Sequence, residues 1–191
     1  MPVYRRAFVP GGTFFFTLVT EGRARFLCDE RSRACLRAAF AETRRRWPFT
    51  IDAIVLLLNH LHTLWTLPED DADFSTRWSY LKSRFTRSWL RCGGAEQPVG
   101  ASRRKNRRRG NWQRRFWEHA IRDERDFERH CDYIHYNPVK HEVASCPHAW
   151  PYSTFEKWVA QGVYGRDWQC SCARWPTEPL QFDDLDETAM E

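Results

Sequence analysis

The pattern of apolar and polar positions in the first third of the chain predicts three β-strands. Residues 13–20 are rich in aromatic and β-branched side chains and follow a Gly-Gly pair, which is typical of a strand that begins after a turn. Residues 50–58 form a nearly continuous apolar run, and residues 60–67 alternate between polar and apolar types. Because only Asn59 separates these two runs, we expect them to form a hairpin.

Other segments carry the helical period of about 3.6 residues. Residues 73–91 give the clearest pattern, because large apolar side chains recur at positions i, i+4, i+7 and i+11. A helix is also predicted from about 29 to 47, and another from 123 to 137, where Pro138 should end it. A short helix could follow at 152–161.

With one more strand at 112–121, the predicted order of elements is β-α-β-β-α-β-α. This order fits an α+β protein in which an antiparallel sheet carries its helices on one face, the ferredoxin-like or RRM-like plan. The basic stretch at about 92–111 would be a loop. We expect a single domain over residues 1–168, followed by a flexible acidic tail at 169–191.

Charge is unevenly distributed along the 191 residues. Residues 176–191 carry six acidic side chains and no Lys or Arg, whereas residues 1–175 carry 30 basic and 19 acidic side chains. A basic, Arg-rich body indicates a polyanionic partner such as nucleic acid, although solubility alone is the simpler interpretation. We expect no membrane span and no signal peptide, and the seven scattered cysteines favour a reduced, cytoplasmic protein.

Two patterns carry candidate chemistry. His60 and His62 lie two apart on a predicted strand, so they share one face and could bind one divalent metal, although two half-buried structural histidines are the simpler interpretation. On the 123–137 helix, Tyr133 and Asn137 lie four residues apart on a polar stripe beside the apolar face. Tyr136 lies opposite the apolar face and should be exposed. A polar helix edge without chemistry is the alternative for this stripe.

Several motifs occur in a fixed order along residues 4–168. They include Pro10-Gly-Gly-Thr-Phe-Phe-Phe-Thr17, Asn59-His-Leu-His62, Trp112-Gln-Arg-Arg-Phe-Trp-Glu-His119 and Asp132-Tyr-Ile-His-Tyr-Asn-Pro-Val-Lys-His141. In this combination the sequence resembles the HUH-type single-tyrosine transposases, and within them the REP-associated tyrosine transposases of bacteria. One departure is Glu142, which stands where relatives usually carry Gly.

The resemblance implies the HUH single-tyrosine transposase fold and a set of site residues. His60, His62 and Asn137 would bind a divalent metal, Mg²⁺ or Mn²⁺, and Tyr133 would be the nucleophile. The implied substrate is single-stranded DNA beside a palindromic hairpin, such as a repetitive extragenic palindrome. The implied products are a 5′-phosphotyrosine link and a free 3′-OH. Because imidazole suits Mn²⁺ better than Mg²⁺, the identity of the metal stays open.

Basic residues near these motifs are candidates for DNA contact, because Lys and Arg side chains neutralise phosphates. We expect contacts from the basic stretch, from the second helix and from the Gly-Thr motif before the first strand. The predicted DNA-binding residues are Gly12, Thr13, Arg77, Lys82, Arg84, Arg103, Arg104, Lys105, Arg107, Arg108, Arg109, Arg114 and Arg115. We expect a monomer, with a dimer as the alternative.

Two other functions stay open from the sequence. One is a domesticated protein that binds hairpin DNA without turnover, and the other is an RNA-binding protein built on a ferredoxin-like sheet. A zinc site can also be drawn from Cys146, His148, Cys170 and Cys172. Their spacing matches no standard zinc motif, so the sequence does not favour it.

Overall fold

The computed structural model describes residues 8–101, 105, 109–171, 179–182 and 185. Across these ranges the strands are β1 (Thr13–Val19), β2 (Thr50–Leu56), β3 (His60–Thr66) and β4 (Trp117–Ala120). The α-helices described here are α1 (Glu30–Arg46), α2 (Phe74–Arg91), α3 (Glu124–Lys140) and α4 (Phe155–Ala160). Short 3₁₀ turns occur at Glu21–Arg23 and Pro147–Ala149.

The strands form one sheet in the order β2-β3-β1-β4, and each neighbouring pair is antiparallel. Together with α1 and α2, they give the β-α-β-β-α-β succession and the strand order of the ferredoxin-like plan. The α+β class predicted from the sequence is therefore confirmed. The fourth strand is shorter than predicted, since it covers four residues rather than 112–121.

One face of the sheet packs on α1 and α2 through large aromatic side chains. Phe14 and Phe16 from β1 and Trp65 from β3 lie in the same apolar cluster as Trp78 and Phe85 from α2. The rings of Trp65 and Trp78 stack with centroids 3.9 Å apart. Aromatic side chains bury more area than aliphatic ones, so this cluster is the main apolar core of the domain.

The opposite face of the sheet is covered by α3. Phe15 and Leu64 from the central strands pack with Cys131 and Ile134 of this helix. The expectation that all helices lie on one face is therefore wrong for α3. The reason is that β1 and β3 are buried on both faces, and a strand buried on both faces needs a layer on each side.

Helix α3 does not end at Pro138 as predicted, but continues to Lys140. Proline removes one backbone donor, and helical bonding resumes after it, because the His141 N–H donates to the Asn137 carbonyl over 3.0 Å. The chain then turns at Glu142, whose φ of 54° lies in the left-handed region. Glycine commonly fills this position after a helix, so Glu142 adopts a backbone conformation that ordinarily favours Gly.

Candidate active site

His60 and His62 lie at the start of β3 with both side chains buried, 3% and 0% exposed. In the sheet, His62 is paired with Thr17 and His60 with Val19 of β1. Their ring centroids are 5.0 Å apart, so the structure brings both rings to one side of the sheet, the side covered by α3.

Hydrogen bonds orient the two imidazole rings. His60 Nδ1 donates to Asn59 Oδ1 over 2.7 Å, because an amide oxygen only accepts. His62 Nδ1 lies 2.9 Å from the Thr17 hydroxyl. Metal-binding histidines typically use one ring nitrogen for such a bond and the other for the ion.

Asn137 supplies an amide oxygen on the facing helix. The side chain is fully buried, and its Nδ2 donates to the Tyr133 carbonyl over 3.3 Å. Among the described residues, its Oδ1 has no hydrogen-bond partner. A buried acceptor without a donor costs about 1–3 kcal/mol, and a cation would satisfy it. Two imidazoles and one amide oxygen are therefore a donor set that fits a divalent ion.

Tyr133 lies beside this set, one helical turn before Asn137. Its ring centroid is 5.1 Å from that of His62 and 5.8 Å from that of Phe15. Lys140 Nζ donates to the Tyr133 hydroxyl over 3.5 Å and lies 4.9 Å from the ring centroid. A cation at this position stabilises negative charge on a phenolate or on a phosphate that approaches it.

The described part of the C-terminal tail covers this side of α3. The ring of Phe182 lies 5.2 Å from that of Tyr133 and 6.1 Å from that of Tyr136, and Leu185 is buried nearby. The prediction that Tyr136 is exposed is therefore wrong. Tyr133 is 0% exposed, and Phe182 is one of the side chains that pack on its ring.

A second polar cluster joins β4 to α3 and was not singled out as a site from the sequence. Asp126 Oδ2 accepts from His119 Nε2 over 2.8 Å and from the Arg122 side chain over 3.1 Å. Although burial opposes ionisation, these hydrogen bonds hold the pKa of Asp126 well below its usual range. His130 donates from Nδ1 to the Asp126 carbonyl, and burial lowers the pKa of His130 to about 4.

His119, Asp126 and His130 also form a group whose ligand atoms lie within 4.8 Å of one another. The Asp126 carboxylate also accepts from the Arg122 backbone N–H over 3.0 Å, while the Asp126 backbone N–H donates to the Asp123 carboxylate that caps α3. We therefore interpret this cluster as a connection that holds α3 against β4. The sequence signal was present, since Asp126 and His130 lie on the same polar stripe as Tyr133.

A basic groove of about 1190 Å³ runs along α2 and the segment before β4. Three of the predicted DNA-binding residues line it, namely Lys82, Arg109 and Arg114. Arg87 and Arg91 line it as well, although they are not among the predicted DNA-binding residues. Most of the other lining residues carry a hydroxyl group or an aromatic ring, namely Ser75, Ser79, Ser83, Thr86, Trp112 and Phe116.

Two predicted DNA-binding arginines on α2 point elsewhere. Arg77 is 2% exposed, and its guanidinium donates to Asp71 over 2.6 Å and to the Pro48 carbonyl over 3.0 Å. The interpretation of Arg77 as a DNA contact is wrong, because burial and an ion pair give it a structural role. Arg84 donates to Glu42 of α1 over 2.7 Å, on the side of α2 that faces α1.

The remaining predicted DNA contacts are only partly described. Lys105 and Arg115 are exposed. Gly12 directly precedes β1, and a Cβ added to it would lie 2.8 Å from the Val9 carbonyl oxygen. Thr13 is the first residue of β1, and its hydroxyl is hydrogen-bonded to the hydroxyl of Thr66. Four predicted contacts lie outside the described residues, namely Arg103, Arg104, Arg107 and Arg108. Within the described ranges, no helix combines the length and apolar character of a membrane span.

Comparison with known proteins places this geometry in a family. No protein-family model matches the chain. A REP-associated tyrosine transposase of Escherichia coli is 42% identical over 168 residues, which cover 88% of this chain and 91% of the relative. A relative from Haemophilus influenzae is 42% identical over 170 residues, which cover 88% and 93%. A solved REP-associated tyrosine transposase bound to a REP hairpin is 38% identical, with a TM-score of 0.74, over 95% of this chain and all of that chain.

Identity at this level over most of both chains makes the protein an enzyme of the tyrosine transposase class. More narrowly, the chain belongs to the family of REP-associated tyrosine transposases.

Proposed function

We propose that this transposase cleaves and rejoins single-stranded DNA beside a palindromic hairpin, with Tyr133 as the nucleophile. The observation that carries the proposal is the position of Tyr133, whose ring lies 5.1 Å from His62 and one turn from the unsatisfied Asn137 oxygen. The hairpin bound to the solved family member supports this class of substrate.

His60, His62 and Asn137 are the residues that would hold a divalent ion, Mg²⁺ or Mn²⁺. Bound there, the ion supplies electrostatic stabilisation to the oxygens of the scissile phosphate. Asn59 and Thr17 keep the two imidazoles oriented for this task through their bonds to Nδ1. The role of these bonds is to hold the ligands in place before DNA binds.

In the proposed reaction, the Tyr133 hydroxyl loses its proton and its oxygen forms a bond to phosphorus. The bond from phosphorus to the 3′-oxygen breaks, and this oxygen takes up a proton to become a free 3′-OH. Lys140 lies close enough to offset negative charge on the phenolic oxygen. Because the phosphotyrosine keeps the ester bond, a 3′-OH can later attack it and rejoin a strand.

The basic groove is the surface we assign to the DNA backbone. Its Lys82, Arg87, Arg91 and Arg114 side chains supply positive charge, and its Ser and Thr hydroxyls supply hydrogen-bond donors for phosphate oxygens. Trp112 and Phe116 add aromatic surface to the groove. Because Trp112 is buried, we assign no stacking of DNA bases to these rings.

A single chain supplies all four proposed site residues, since β3 and α3 of the same fold meet at the site. This arrangement supports a monomer as the active form. The cytoplasm, where chromosomal DNA is accessible, is the compartment this function requires.

The test is a cleavage assay on labelled single-stranded hairpin oligonucleotides from the chain's own genome, with Mg²⁺ or Mn²⁺. We expect a metal-dependent covalent adduct on denaturing gels that disappears in Tyr133→Phe and survives in Tyr136→Phe, the matched control one turn away. Phe182→Ala is run beside them, because it opens access to Tyr133 without changing a proposed metal ligand.

An adduct that survives in Tyr133→Phe but is lost in Tyr136→Phe would overturn the assignment of the nucleophile. Tight hairpin binding with no adduct in either metal, and none in Phe182→Ala, would instead indicate a DNA-binding protein without turnover.

A further inference from the structure

Two cysteines and a histidine from distant parts of the chain meet beyond the end of α3. Cys146 and His148 belong to the 3₁₀ turn that follows this helix, and Cys170 lies after α4. The ligand atoms of the three residues lie within 4.8 Å of one another. His148 Nδ1 is 3.5 Å from Cys170 Sγ.

We propose that Cys146, His148 and Cys170 form a structural zinc site, separate from the proposed catalytic metal site. In a tetrahedral zinc site with Zn–S of about 2.3 Å and Zn–N of about 2.0 Å, ligand atoms lie roughly 3.5–3.8 Å apart. The sulfur–nitrogen distance of 3.5 Å falls at that value. Two thiolates and one imidazole are the ligand types that zinc prefers in structural sites.

The backbone around the cluster is arranged to hold the two segments together. The Ser171 N–H and hydroxyl both donate to the Ser145 carbonyl over 2.9 Å, so the residues next to Cys146 and Cys170 are joined directly. Gln169, immediately before Cys170, has a φ of 52° in the left-handed region, a strained conformation for a residue with a side chain.

The burial of the cluster also fits a metal site. Cys146 is 1% exposed and Cys170 is 4% exposed, whereas His148 is half-buried at the surface, so an ion could enter past the imidazole. On binding, His148 Nδ1 would exchange its hydrogen bond to the Arg166 carbonyl, 2.9 Å away, for the ion. The fourth position of the ion is not assigned, and Cys172 lies outside the described residues.

The consequence of the site is mechanical. It joins the loop after α3 to the end of the segment that packs on this helix through Phe155 and Tyr164, whose rings both contact His135. A metal at this point would therefore fix the start of the C-terminal tail at Cys170.

The first test is the metal content of the full chain, purified under reducing conditions from zinc-supplemented cells. We expect about one zinc per chain that remains in His60→Ala/His62→Ala, because the proposed catalytic ligands do not contribute to this site. Zinc that is absent from the wild type, or lost in this double variant, would overturn the proposal.

The second test replaces zinc by Co²⁺, whose near-ultraviolet charge-transfer band appears only with thiolate ligands. We expect the full band in the wild type and in Cys92→Ser, an exposed cysteine remote in sequence from the cluster, and a fall of at least half in each of Cys146→Ser and Cys170→Ser, because each variant loses one of the two thiolates. His148→Cys should keep the fold and raise the band by roughly half, since two thiolates become three. No band in the wild type, or a band of unchanged intensity in both single serine variants, would contradict the site.

Discussion

The two faces of the sheet use the same strands for different purposes. On β3, Leu61 and Trp65 point towards α1 and α2, where the neighbours are almost entirely aromatic or aliphatic. His60 and His62, on either side of Leu61, point towards α3, where apolar side chains alternate with the proposed site residues. The period of two along a strand therefore separates packing from chemistry within one element.

The difference teaches how the site is held rigid. Leu61, which separates the two proposed metal ligands on β3, is buried in the aromatic core, and that core fixes the strand. Positions on rigid elements hold a constellation more accurately than positions on loops. The apolar face should therefore govern stability, and the α3 face should govern the reaction.

The largest expected effect comes from breaking the apolar face. Trp78 is 0% exposed and stacks on Trp65, so Trp78→Ala should lower the free energy of unfolding by about 3–5 kcal/mol. Chemical denaturation measures this value. Trp47→Ala should cost clearly less, because this half-buried ring lies at the end of α1 and packs on Tyr80 of α2. Equal costs for the two variants would contradict the assignment of the core.

A substitution on the α3 face of the sheet should change stability less than Trp78→Ala does, but it should strongly lower the rate of adduct formation. His62→Gln should lower the rate of adduct formation roughly 10²–10³-fold, because it removes a ligand from the proposed electrostatic stabilisation of the reacting phosphate. His119→Gln serves as the matched control, since His119 bonds Asp126 outside the proposed site. Equal losses of rate in single-turnover assays of the two variants would count against the metal role of His62.

The α3 face should also make stability depend on pH. Burial lowers the pKa of His130 to about 4 in the folded chain, whereas an unfolded His has a pKa of about 6.5. Between these values the unfolded state binds more protons, so this contribution is complete above pH 6.5 and is lost as the pH falls towards 4. At pH 5 the loss should be about 2 kcal/mol relative to pH 7.

Urea denaturation at pH 7 and pH 5 tests this dependence. His130→Gln cannot titrate, so its change in stability between the two pH values should be smaller than that of the wild type by about the same 2 kcal/mol. An identical pH response in the two proteins would show that His130 is not the group responsible.

The smallest effect concerns the end of α3. Glu142 has a φ of 54°, so Glu142→Gly should raise the free energy of unfolding by about 1 kcal/mol by removing the left-handed strain of a Cβ. Thermal and urea unfolding measure the change. Glu142→Ala removes the same carboxylate but keeps the Cβ, so a similar gain in that variant would attribute the effect to charge.

Local patterns were sufficient for the order of strands and helices along the chain, because strand and helix periods report burial directly, but not for the length of β4 or the face on which α3 packs. They were not sufficient where a distant segment determines burial. Tyr136 was predicted to be exposed because nothing in its own helix indicates that Phe182 covers it. Arg77 was predicted to contact DNA because a count of charges does not reveal that Asp71 binds it.

The candidate site shows the same limit. The shared face of His60 and His62 follows from their spacing on one strand, and the structure has it. Their approach to Tyr133 depends on the packing of α3 against the sheet. The family resemblance implied this packing, whereas the periodicity of the sequence could not predict it. Cys146, His148 and Cys170 come together only through the fold, since their spacing matches no known zinc motif.

The most direct test of the central claim is to locate the DNA on the protein after the reaction. Trypsin should release the peptide 130–140, which contains both Tyr133 and Tyr136, and fragmentation by mass spectrometry distinguishes the two. The account predicts a nucleotide linked through its 5′-phosphate to Tyr133. A nucleotide on Tyr136, or on any residue outside this peptide, would contradict it.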